Sequence, residues 1–219
     1  GDVCKANTNQ VHKYCEEILS LLLNLLNSSD VKRKVKPHAI GVFADIVMAD
    51  FDKVESKELK GCPLEGHIPQ IFHMLKAAGH SIMGTEVDPD DEDEIVNSLE
   101  FRESILGAYS GILVSVVNKD LFNTQYQAND GRQVSEVEFI VSFAANCSDF
   151  VSKYPVEDPE PVLEKIILLL GDLANQLGSK NMAQYLRNSH VEALLNKASQ
   201  NPKVNPENIQ WSRAEIFGR

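Results

Sequence analysis

The chain of 219 residues is 43% apolar with a formal net charge of −11, enough apolar content to bury a sizeable core and so to exclude disorder throughout. The acidic balance argues against a nucleic-acid partner, whose phosphates call for clustered Lys and Arg, and favours a basic one. No apolar run approaches the roughly 18 residues needed to span a bilayer, so no membrane partner is expected. The start GDVCKANTNQ lacks the basic region and apolar core of a secretion signal. These features point to a soluble, intracellular fragment of a longer protein. Cys4, Cys15, Cys62 and Cys147 are dispersed, without the paired spacing that gathers thiolates around zinc, and read as buried free thiols.

Residues 8–27 place Val11, Tyr14, Cys15, Ile18, Leu22 and Leu25 at helical spacing, with Leu19, Leu21, Leu23 and Leu26 widening the stripe. Asn27-Ser28-Ser29-Asp30 breaks that pattern, and a second helix over about 36–51 follows with Pro37 in its first turn. A third, at about 64–82, starts with Pro63, carries Ile68, Ile71, Phe72, Leu75 and Ile82 on one face, and should bend at Pro69. Residues 86–94, EVDPDDEDE, form a solvated acidic loop whose last acids favour the positive end of the next helix, about 95–118. That helix buries Leu99, Leu106, Tyr109, Leu113 and Val116. After a polar connection at 119–133, Val137, Ile140, Val141, Ala144, Cys147 and Val151 outline a helix at about 134–153. The sharpest helix runs from Pro161 to Gly178, with Leu163, Ile166, Ile167, Leu170, Leu173, Ala174 and Leu177 on one stripe and a glycine suited to the left-handed position past its end. A last pair is expected at about 180–197 and 206–217, and no segment shows strand alternation.

The second helix of each pair repeats a short block. Gly1-Asp2-Val3-Cys4, Ala44-Asp45-Ile46-Val47, Ser110-Gly111-Ile112-Leu113 and Gly171-Asp172-Leu173-Ala174 align. Phe43, Tyr109 and Leu170, then Ile40, Leu106 and Ile167, extend the match upstream, and Gly41 and Gly107 read as small residues that admit a neighbouring helix. Recurrence in every second helix favours an all-α solenoid over a plain helical bundle, because a stack brings equivalent positions against equivalent neighbours. The division is then 1–6 as the end of a preceding repeat, and hairpins at 8–52, 64–118, 134–178 and 180–217, within one fragment.

Motifs for chemistry are weak. Gly79-His80-Ser81-Ile82-Met83-Gly84 departs from the nucleophile elbow in its second glycine and follows a helix where a strand is required, so a hydrolase using Ser81 is a poor alternative. Asp88, Asp90 and Glu92 start like a calcium loop, but Asp93 and Leu99 stand where glycine and a bidentate Glu are needed. His67, His73 and His80 lack the i, i+4 spacing of a helical zinc pair. No cofactor, metal or catalytic residue is expected. Trp211, the one tryptophan, is either a core plug or an exposed anchor.

The repeat blocks resemble the C-terminal HEAT repeats of the importin-β (karyopherin-β) family. Val35-Lys36-Pro37 with Ile40, Val42-Phe43 and Asp45-Ile46 resembles its V-K-P-x-I-x-x-F-G-D-I helix. Leu99, Arg102-Glu103-Ser104 and Ala108-Tyr109-Ser110-Gly111-Ile112 resemble L-R-E-S-x-x-x-A-Y-T-G-I, and Val137-Glu138-Phe139-Ile140 with Ser142-Phe143 resembles V-E-F-I-L-S-F. The resemblance implies a right-handed superhelical arch of HEAT hairpins acting as a non-enzymatic nuclear import carrier in cytoplasm, nucleus and nuclear pore. Its concave face would hold the basic importin-β-binding segment of importin-α or basic cargo, and outer-helix grooves would take phenylalanine-glycine (FG) nucleoporins. Ran-GTP would act chiefly through repeats outside this fragment. Candidate partner contacts are Asp45, Asp52, Glu100, Glu103, Glu164, Asp172 and Trp211, with Glu92, Asp93 and Glu94 of the acidic loop assisting. Asp172 stays divided between a partner contact and an inter-repeat or turn hydrogen bond. A HEAT scaffold of another assembly is the alternative.

Overall fold

The structure, a computed structural model, describes residues 14–28, 31, 35–55, 65–127, 131–154 and 158–218. Its helices are α1 (Cys15–Asn27), α2 (Lys36–Glu55), α3 (Ile68–Met83), α4 (Glu92–Ser115), α5 (Glu136–Lys153), α6 (Glu160–Leu177), α7 (Ser179–Leu186), α8 (Ser189–Ser199) and α9 (Pro206–Phe217). They stack in two layers. One is the row of second helices α2, α4, α6 and α9, whose successive members share the most extensive contacts in the chain. The other holds α1, α3, α5 and the α7–α8 pair, each packed against its own second helix. This is an all-α solenoid of stacked hairpins. The end of a preceding repeat, expected at 1–6, lies outside the described residues, as do Cys4, Cys62 and Pro63.

The small position of the repeated block explains the stacking. Ser110 and Gly171 are equivalent, and each faces the next second helix. Ser110 Oγ donates to Asp172 Oδ2 of α6 at 2.9 Å. Gly171 lies beneath the Trp211 ring of α9, so close that a Cβ placed there would sit 2.9 Å from Cη2 and closer still to Cζ3. In the first-helix layer, Gly79 of α3 likewise makes room for Phe139 of α5, whose Cζ would lie 2.6 Å from an added Cβ. Around that contact Phe72, Tyr109, Phe122, Phe139 and Phe143 form an aromatic core with centroids 5.0–6.1 Å apart, distances at which ring pairs add to simple area burial.

Two charged groups are enclosed between the layers. Glu136, fully buried in the first turn of α5, accepts from Tyr109 Oη at 2.7 Å and pairs with Lys76 of α3, which in turn lies 4.2 Å over the Tyr126 ring. Arg102 of α4 is 2% exposed. It donates to the Ile82 carbonyl at the end of α3 (3.2 Å) and to Ser98, and it stacks 3.9 Å from the Phe150 ring. Its cation therefore satisfies a helix C-terminus, with no carboxylate paired to it among the described residues. Nearby Cys147 is a buried free thiol pushed up to about 12 by burial.

Several boundaries differ from the sequence expectations. α4 begins at Glu92, inside the acidic run, because Asp91 caps it by accepting from Glu94 N at 3.0 Å, so Glu92, Asp93 and Glu94 form a helical first turn rather than loop. The expected helix at 180–197 is two helices: Asn188 starts α8 by accepting from Val191 N, while Arg187 turns back to the Ile216 carbonyl. Pro69 occupies the first turn of α3, where it needs no bend. Gly84 ends that helix with right-handed φ and ψ, whereas Gly178 adopts φ 87° but an extended ψ, and α7 follows at once. The polar connection at 119–133 contains strands β1 (Gln125–Gln127) and β2 (Gln133–Ser135), pairing Tyr126 with Val134. Each is three residues long, too short for alternation to register, and the pair is anchored by Tyr126 beneath Lys76. Among the described residues no helix is long and apolar enough to cross a membrane.

Gly171→Ala forces the Trp211 ring away from α6. A loss of about 1–3 kcal/mol is expected, as for other overpacked cores, seen as a lower midpoint in thermal unfolding with α-helical circular dichroism retained below it.

Candidate functional site

The free face of the second-helix layer carries two adjoining depressions. The first, about 610 Å³, lies between α2 and α4 and is lined by Pro37, Gly41, Asp45, Glu100, Glu103, Gly107 and Val114, with Lys165 of α6 at its edge. The second, about 490 Å³, lies between the starts of α4 and α6 and takes in Asp90, Glu92, Val96, Glu100, Glu103 and Asp158. Glu100 and Glu103, one helical turn apart on α4, belong to both. Val96 and Val114 flank them, 43% and 37% exposed. Acid groups in the middle and apolar side chains at either end of one helix face make a surface suited to a segment that is both basic and apolar.

Glu100 and Glu103 are therefore brought together with Asp45 in the first depression and with Glu92 in the second. Asp93 and Glu94 are not: they line a separate groove of about 700 Å³ on the other side of α4, with Leu26, Met74, Ala78, Ile82 and Phe101. Glu94 also accepts from Asp88 N at 3.1 Å, tying the preceding turn to the helix. Glu164 accepts from Asn205 N at 2.9 Å and so fastens the start of α9 to α6. Trp211 is half-buried over Gly171 as part of the α6–α9 contact. Asp52 falls within α2, with its side chain outside the described part.

Asp172 bridges repeats by accepting from Ser110. Burial raises its carboxyl above the ordinary carboxylate range, opposed by the Ser110 hydroxyl and by the Lys119 cation. Lys119 donates to the Leu113 carbonyl near the end of α4, and burial lowers its own pKa.

Sequence reasoning missed Val96, Val114, Asp90, Asp158 and Lys165 as neighbours of the acids. The three-and-four spacing of Val96, Glu100, Glu103, Gly107, Ser110 and Val114 was the signal available, hidden because α4 is apolar on most of its other sides. Asp158 pairs with Lys203. Among the described residues Gly41 and Gly107 do not admit a neighbouring helix as expected: a Cβ on Gly41 would meet none of them within 4 Å, and one on Gly107 only Lys165 Cε at 3.9 Å. Ser81 is exposed in the last turn of α3, its carbonyl accepting from Thr85 Oγ1, a helical setting unlike the strand-to-helix turn of a nucleophile elbow. Among the described residues no group of three or more His, Cys, Asp or Glu side chains is arranged to hold a metal ion.

Stacked hairpins with a continuous row of second helices define an α-solenoid of the HEAT type. Residues 1–199 match the family described as importin subunit beta-1-like, TPR repeats. The chain is 31% identical over 185 residues to importin subunit beta-1 of Arabidopsis thaliana, covering 82% of this chain and 18% of that protein. It is 22% identical over 219 residues to importin subunit beta-1 of Schizosaccharomyces pombe, covering 99% and 22%. The chain belongs to the importin subunit beta-1-like family. Among solved structures it superposes with TM-score 0.67 and 16% identity on Kap95p from a complex with RanGDP and on Kap95 from a Kap95:Nup1 complex, covering 98% of this chain and 22% of each. With importin beta crystallised in ammonium sulfate the TM-score is 0.64 at 17% identity, over 94% and 21%. The chain thus spans about a fifth of the length of the relatives it matches.

For a carboxyl whose folded pKa is raised, the stabilising contribution is complete below the ordinary carboxylate value of about 3.9 and is lost as pH rises through the folded value. Asp172→Asn removes that loss while keeping an acceptor for Ser110. Denaturant unfolding is expected to find the variant at least as stable as the parent at pH 7, with the gap narrowing toward pH 4.

Proposed function

We propose that this chain is a segment of a nuclear transport receptor and that its second-helix face binds a basic, helical partner: the importin-β-binding segment of importin-α, or basic cargo. The carrying observation is the placement of Glu100 and Glu103 at the junction of two depressions, with Asp45 and Glu92 beside them and Val96 and Val114 exposed on the same helix. Acidic groups steer a basic segment to the face and fix its register, and the apolar positions supply the contacts that slow its release. Binding requires no chemistry, so the receptor acts as a carrier, working between cytoplasm and nucleus.

A second contact surface is supported by the groove on the other side of α4. Its apolar lining of Met74, Ala78, Ile82 and Phe101 suits the aromatic side chains of FG nucleoporins. The structural likeness to Kap95 of a Kap95:Nup1 complex is consistent with that role. Ran-GTP is assigned chiefly to repeats outside this chain.

A labelled basic amphipathic peptide titrated with the chain should bind with an affinity that falls as salt is raised, since screening weakens exposed charge pairs. Glu100→Lys combined with Glu103→Lys should weaken it at least tenfold. Unchanged affinity in that double variant would remove the face from consideration.

A further inference from the structure

Glycine inside a helix is destabilising relative to alanine, so its presence there calls for a reason. Gly79 and Gly171 have one, in Phe139 and Trp211. Gly41 and Gly107 have none among the described residues: an added Cβ meets nothing within 4 Å at Gly41 and only the Lys165 tip, at ordinary contact distance, at Gly107. Both open onto the same depression of about 610 Å³ between α2 and α4. Their missing side chains leave that depression open, and neither packs α2 on α4 through a described residue.

We infer that this depression seats one large apolar side chain of the bound partner, with the partner's backbone close over Gly41 and Gly107 and its Lys or Arg residues reaching the rim. The inference rests on the reading that this face takes a basic segment. Charge selects the occupant. Asp45, Glu100 and Glu103 line the same depression, so the residues flanking the inserted side chain are cationic. Pro37, Ala108 and Val114 with the glycine Cα atoms give the depression apolar lining, which suits Trp, Phe or Leu better than another charge. Lys165 closes the α6 end and repels cationic groups there, confining them to the side of α2 and α4.

The probes are two fluorescein-labelled amphipathic peptides of Lys and Arg, one with a single central Trp and the other with Ala in its place, titrated into the 219-residue chain by anisotropy. The parent is expected to bind the Trp peptide at least tenfold more tightly. Gly107→Leu, which fills the depression, should reduce the Trp peptide to the affinity of the Ala peptide. Gly41→Ala and Gly107→Ala should each raise the thermal midpoint, by about 2–4 °C for a chain of this length, because an added Cβ crowds no described residue at either position. The seat is overturned if the Trp preference survives in Gly107→Leu, or if Gly107→Ala lowers the midpoint. If the parent binds both peptides equally and the double charge reversal abolishes binding, the face stands and the seat falls. If the parent binds neither peptide, the face and the seat fall together.

Discussion

Each second helix in this chain depends on the second helices before and after it. A single hairpin has two apolar flanks and only one partner helix, so burying the remaining flank, worth roughly 25 cal/mol per Å² of apolar area, requires the next hairpin. The row α2, α4, α6, α9 is the result. Its close approach is set by small residues at one recurring position, Ser110 against Asp172 and Gly171 against Trp211. Because the row must be continuous, its free face is continuous too, and acids from α2 and α4 fall side by side although they are far apart in sequence.

The enclosed polar groups act on the same geometry. Glu136 ties Lys76 of α3 and Tyr109 of α4 to the start of α5, and Arg102 ties α4 to the end of α3. Removing one member of such a set strands the others in a low-dielectric interior, a cost that typically exceeds the net worth of the pair. The Glu136 set joins the α3–α4 hairpin to the next one, and Arg102 holds α4 against α3 within its own hairpin.

The helices and their pairing were legible because apolar spacing persists over many residues, as in Leu163 to Leu177. The repeated small-Asp block made stacking legible as well. Less visible was whatever depends on a single local contact. The two short strands rest on Tyr126 under Lys76, the break before α8 on Asn188 and Arg187, and the early start of α4 on Asp91. At the site, Glu100 and Glu103 could be picked out as acids off the apolar stripe. That Asp93 and Glu94 turn to the opposite side follows from their helical phase once the cap is known. The sequence presents Gly41 and Gly107 as packing residues, a role that the space above them among the described residues does not support.

The most direct test is hydrogen exchange of the chain with and without a saturating basic amphipathic peptide. The account predicts slowed exchange in peptic fragments covering the first half of α2 and the length of α4, with α3 unchanged. Slowed exchange concentrated on α1 and α3, with α2 and α4 unaffected, would contradict it.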